Sequence, residues 1–129
     1  MRLRIEAAFT LAEILVVIVV LGAVAAFATP MFVAQIERNK ASEGAQLLMA
    51  LMGAQKRYAL DNNGVYSSTY AALDLTINSP NFVNPPTVSN ANPVASITRN
   101  GGTYTLSITD TGTITCAVAG SAACQTAGY

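Results

Sequence analysis

Residues Phe9–Ala34 read FTLAEILVVIVVLGAVAAFATPMFVA. Between Glu13 and Glu37 no ionisable side chain interrupts the chain, and Ile14 to Ala28 is almost continuously apolar. A helix needs about 20 apolar residues to cross the hydrocarbon layer. The run reaches that length when Thr29 to Ala34 are included, which predicts a single membrane span. Arg2 and Arg4 precede it, so the positive-inside tendency keeps the N-terminus cytoplasmic and sends the residues after Val33 across.

Outward from this run the pattern changes but the helix does not stop. From about Gln35 to Leu60 the periodicity becomes amphipathic, with Ala41, Ala45, Leu47, Leu48, Leu51, Met52, Tyr58 and Ala59 on one arc. Asn39, Glu43, Gln46, Gly53 and Arg57 occupy the other, while Lys40 and Gln55 blur the boundary. Pro30 stands alone among good helix formers, so one helix of roughly 80 Å is expected from Phe9 to Leu60, at about 1.5 Å per residue. Asn62, Asn63 and Gly64 tolerate left-handed backbone angles and should end it after Asp61.

Beyond the helix the chain turns polar, and Pro80, Pro85, Pro86 and Pro93 point to an irregular middle. Val94–Arg99, Thr103–Thr109 and Thr113–Val118 then read as strands, joined by the turn sequences Asn100-Gly101-Gly102 and Asp110-Thr111-Gly112. In the central strand Tyr104, Leu106 and Ile108 alternate with polar neighbours, which gives one face to bury under the amphipathic helix. The expected fold class is α+β: a long N-terminal helix packed on a small antiparallel sheet of three to four strands. The expected organisation is a leader over residues 1–8, a membrane helix over 9–34 and a globular head over 35–129.

Composition narrows the function. With 129 residues the chain suits one small domain. Seven basic and seven acidic side chains cancel, so no long-range field selects nucleic acid or anionic lipid. There is no histidine, and the two cysteines leave the usual zinc and nucleophile–base arrangements incomplete, which argues against an enzyme and implies no cofactor. Asp74 and Asp110 look isolated, with no dense carboxylate cluster for calcium. Cys116 and Cys124 both fall in the translocated part, where an oxidising compartment favours a disulfide. Closing so short a loop is worth on the order of 2 to 3 kcal/mol in the chain-entropy model.

Arg2 and Arg4, the Ala8-Phe9 junction, Glu13, Gly22 and Pro30 cluster at the start of the chain, and together they resemble a family. Phe9-Thr-Leu-Ala-Glu-Ile-Leu-Val-Val-Ile looks like the N-terminal motif of type IV prepilins and their relatives, the pseudopilins of type II secretion. The resemblance implies cleavage just before Phe9 by a prepilin peptidase, methylation of the new N-terminus, and retention of Glu13 inside the membrane. It also implies export through a pilus assembly platform and polymerisation into a helical homo-oligomer. Where the family usually carries glycine before the cut, this chain has Ala8. Gly22 and Pro30 match positions at which family helices lose order on packing into a filament. In type IV pilins a C-terminal disulfide loop lies on the filament surface, which favours a pilus subunit serving adhesion, twitching motility or DNA uptake over a pseudopilin.

Glu13 is the most informative residue, because a carboxylate inside an apolar helix costs about 2.5 to 3.5 kcal/mol. The amine freed on Phe9 of a neighbouring copy would compensate it in a low-dielectric bundle. A local role competes: Thr10 and Glu13 also spell a capping box. Two readings from other classes stay open. Ala26-Phe27-Ala28 has the form of a signal-peptidase site, which would release a soluble protein starting at Thr29; a single-pass adhesin that never polymerises is the other.

Overall fold

The computed structural model describes residues 9–102, 104–117 and 124. The expected leader, Met1–Ala8, lies outside these residues, as do Thr103, Val118 and most of the C-terminal cysteine loop. The chain divides into two compact units, at Gln35 and Ile36.

Helix α1 runs from Leu11 to Asp61 without a break. In the first unit every residue from Phe9 to Val33 is exposed. Thr29 donates its hydroxyl to the Ala25 carbonyl at 2.9 Å, one turn back, next to Pro30, which has no N–H of its own to give. The helical assignment continues through Pro30.

In the second unit α1 buries Ala41, Gly44, Leu48, Leu51, Gln55 and Ala59, a row with helical spacing. Ala45, Leu47, Met52 and Tyr58, expected on this face, sit half-buried at its flanks, the last three packed against the core. Gly44 and Gln55 join the buried centre line, which the apolar pattern does not indicate. Gly44 is there because a Cβ would stand 2.5 Å from Phe82 Cζ and 2.9 Å from Leu106 Cδ1. The helix ends where expected: Asn63 and Gly64 take φ of 55° and 82°, and Gly64 N bonds the Ala59 carbonyl at 2.8 Å.

The sheet has four strands, β1 (Thr87–Val88), β2 (Ala95–Thr98), β3 (Thr105–Ile108) and β4 (Ile114–Ala117), antiparallel in the order β1-β2-β3-β4. β2, β3 and β4 are the predicted meander, shortened at their ends. β1 arises in the Pro-rich middle that reads as irregular, immediately after Pro85-Pro86. Two residues at a sheet edge need pairing on only one side, so the prolines are no obstacle. The same middle supplies a 3₁₀ turn at Tyr70–Ala72 and a bridge from Phe82 to Arg99.

The register Ala95↔Ile108 and Ile97↔Leu106 gathers those four side chains on one face. Tyr104, buried as the alternation predicts, meets Phe82 edge-on at 6.5 Å between ring centres. On the opposite face the Thr98 and Thr105 hydroxyls lie 3.0 Å apart. Gly101, Gly102 and Gly112 all have positive φ, as the two hairpin turns require.

Candidate assembly site at the start of the apolar helix

Thr10 occupies the N-cap of α1 and Glu13 the third helical position. Glu13 N donates to Thr10 Oγ1 at 3.2 Å, and Thr10 N donates back to Glu13 Oε2 at 3.4 Å. The Thr10 hydroxyl also reaches that oxygen, at 3.5 Å. This is the capping box the sequence suggests, and it satisfies two of the amides that a helix start leaves open. Both contacts that reach the carboxylate end on Oε2; Oε1 takes no hydrogen bond among the described residues. The box therefore orients the carboxylate and leaves one oxygen for another donor.

The surroundings of Glu13 are apolar and uncovered. Phe9 is 79% exposed and Leu11 84%. Around Gly22 a Cβ would meet nothing within 4 Å, so no contact among the described residues explains a glycine there. Among the described residues one helix, α1, is long and apolar enough to cross a membrane, and none of its apolar window is buried. The other residues expected to act lie elsewhere: Pro30 within α1, and the Cys116–Cys124 pair in the second unit. The disulfide is present, with its Cα atoms 5.8 Å apart.

A polar cluster that sequence reasoning missed lies early in the second unit. Arg99 Nε donates to Glu37 Oε1 at 2.8 Å, Tyr104 Oη lies 3.3 Å from the same oxygen, and Lys40 Nζ stands 3.5 Å from Oε2. Arg99 also donates through Nη1 to the Asn81 carbonyl at 2.8 Å. The hydrogen bond from Arg99, with its positive charge and that of Lys40, holds the Glu37 carboxyl below the usual range against partial desolvation. Glu37 and Lys40 at i,i+3 were a legible pair; Arg99, 62 residues away, was not.

The two aspartates that look isolated are engaged. Asp74 takes a two-bond pairing from Arg57 at 2.7 and 2.8 Å, which lowers its own pKa and raises that of the guanidinium. Asp110 exchanges bonds with the Asn92 side chain, both at 2.9 Å. Among the described residues no three His, Cys, Asp or Glu side chains converge as metal ligands would.

The chain is similar to proteins named type II secretion system core protein G. Against that of Aeromonas hydrophila it is 35% identical over 86 residues, 67% of this chain and 59% of the relative. For Vibrio cholerae the figures are 32% over 84 residues, 65% and 57%; for Escherichia coli they are 33% over 91 residues, 70% and 61%. The likeness supports a prepilin-like chain, a pilin or a pseudopilin. This pilin-like chain spans a little under two thirds of the length of the curated relatives it matches. No family model matches it, and neither does any solved structure. The long helix on a four-stranded antiparallel sheet is the architecture the resemblance implies. The relatives' names weigh toward the pseudopilin branch, where the cysteine pair had pointed to a pilus subunit.

Proposed function

We infer that this pilin-like chain is a pseudopilin of a type II secretion system, a membrane-resident subunit that polymerises into a short helical filament. The observation that carries the inference is a carboxylate at the start of an entirely uncovered apolar helix, in a chain whose curated relatives are type II secretion core proteins. In this reading residues 1–8 are a leader, 9–34 the membrane and polymerisation helix and 35–129 the head. A prepilin peptidase hydrolyses the Ala8-Phe9 peptide bond, and the new Phe9 nitrogen becomes a methylated amine. That cation meets Glu13 of an adjoining copy, at the oxygen left open by the capping box, and sets the axial step. Gly22 and Pro30 supply the places where α1 packs closely or yields during export by the assembly platform. The subunit begins in the inner membrane with its N-terminus cytoplasmic.

Deleting the gene and profiling exported proteins tests this reading. Secreted enzymes should be retained in the periplasm while surface pili persist; loss of pili with secretion intact would replace it with the pilus reading, which the Cys116–Cys124 loop favours. Intact mass of the native protein checks processing, with a chain starting at Phe9 expected. A product starting at Thr29 would be the secreted soluble form instead.

A further inference from the structure

Glu37, Arg38 and Lys40 are the first ionisable side chains after the apolar run. Arg38 and Lys40 follow Val33 by five and seven residues. A helical chain advances about 1.5 Å per residue, so they lie about 8 to 11 Å of helix past Val33, the last large side chain of the run, with Ile36 between. That is close to the depth of a headgroup layer, and long basic side chains reach back toward it.

Zero net charge over the whole chain hides a local imbalance here. Arg99 arrives from the end of β2, binds Glu37 through Nε, and is itself mostly buried, with 14% of its side chain exposed. Glu37 therefore has a closer cation than Lys40, whose contact is 3.5 Å against 2.8 Å. Glu43, the next acid along α1, has both oxygens engaged, by Ser79 Oγ at 2.6 Å and Asn81 Nδ2 at 2.7 Å. Arg38 is exposed and makes no ion pair among the described residues. Around Glu37 three cations, Arg38, Lys40 and Arg99, thus face one acid that Arg99 already neutralises at the shorter contact, which leaves two positive charges in excess: Arg38 exposed, and Lys40 part-exposed at the longer contact to the second Glu37 oxygen.

We propose that Arg38 and Lys40 bind the phosphates of acidic phospholipids on the translocated side of the membrane, and that Arg99 keeps them available by neutralising Glu37. The proposal rests on the reading of residues 14–34 as a membrane span. Each cation near an anionic surface is worth about 1 kcal/mol, which is about a fivefold change in lipid preference.

The full chain in nanodiscs of equal phosphatidylcholine and phosphatidylglycerol, with retained lipids counted by native mass spectrometry, tests it. The natural chain should hold phosphatidylglycerol preferentially, and Arg38→Gln with Lys40→Gln should lower that preference by about fivefold per substitution. Arg99→Gln should lower it as well, by turning Glu37 onto Lys40, and adding Glu37→Gln should restore it. An unchanged ratio in the Arg38/Lys40 double variant, or no preference in the natural chain, overturns the lipid contact. An unchanged ratio in Arg99→Gln overturns the part assigned to Arg99. Failure of the natural chain to enter the disc is a separate result that removes the membrane span and this proposal with it.

Discussion

The side-chain amide of Gln55 pairs with the backbone of Ser67 in both directions: Oε1 accepts from Ser67 N at 2.8 Å and Nε2 donates to Ser67 O at 2.9 Å. Nε2 also reaches the carbonyls of Val94 at 3.0 Å and Ser89 at 3.3 Å. One fully buried residue of α1 thereby ties down the loop after the helix and the approach to β2. A buried amide is tolerated because its polar atoms are matched.

Gln55→Leu keeps a similar volume and removes every one of those bonds, stranding the Ser67 N–H and its neighbouring carbonyls away from water. A loss of about 3 to 5 kcal/mol is expected. Thermal unfolding followed by the near-ultraviolet circular dichroism of the tyrosines measures it; a loss below about 1 kcal/mol would show that water replaces the amide.

Gly44 and Gly53 both lie in α1 and should respond to alanine with opposite signs. At Gly44 the added methyl meets the Phe82 ring and Leu106, so overpacking of about 1 to 3 kcal/mol outweighs the helix-propensity gain. At Gly53 the nearest atom is Arg57 Nη1 at 3.6 Å, the end of a flexible side chain. Gly53→Ala should stabilise by up to about 1 kcal/mol. Urea unfolding of both variants reads the difference.

Acid should weaken the second unit through Glu37. Its folded pKa is depressed by Arg99, so the stabilisation is present above the unfolded carboxyl pKa of 4.5 and is lost as pH falls through the lower folded value. Melting temperature measured from pH 7 to pH 3 should drop more steeply below about pH 4.5 in the natural chain than in Glu37→Gln. At pH 7 Glu37→Gln should cost about 1 to 2 kcal/mol, since the pair is only partly buried.

Glu13→Gln separates capping from charge pairing. Glutamine serves in a capping box as glutamate does, so the start of α1 should be preserved, with Glu13→Ala costing about 1 kcal/mol of local helix stability. If pairing with a neighbour's amine drives assembly, both variants should insert in the membrane and neither should yield filaments. Normal filaments from Glu13→Gln, counted by electron microscopy of sheared cells overproducing the subunit, would assign the residue to capping alone.

Gly22→Ala supplies the matching test in the apolar segment. Among the described residues nothing lies within 4 Å of a Cβ at that position, so the isolated subunit should gain up to about 1 kcal/mol of helix stability. A fall in filament yield together with an unchanged or more helical monomer would place the glycine in a subunit contact.

What could be read without coordinates was local. The apolar run, the Thr10–Glu13 box, the Asn63-Gly64 helix stop and the two glycine turns each depend on residues within four positions of one another, and the alternation Tyr104, Leu106, Ile108 predicts its own buried face. The mate of Cys116 was legible because only one other cysteine exists. What only the tertiary structure decided depends on segments far apart in the chain. Gly44 is small because Phe82 and Leu106 lie over it, Gln55 is buried because Ser67, Ser89 and Val94 bring it backbone partners, and Arg99 reaches Glu37 across 62 residues. Periodicity sorts side chains by polarity, so it sets a glycine and a glutamine aside from the core, and no spacing rule links an arginine at the end of β2 to a glutamate in α1. Those assignments follow from which surfaces meet, and that is settled when the sheet closes on the helix.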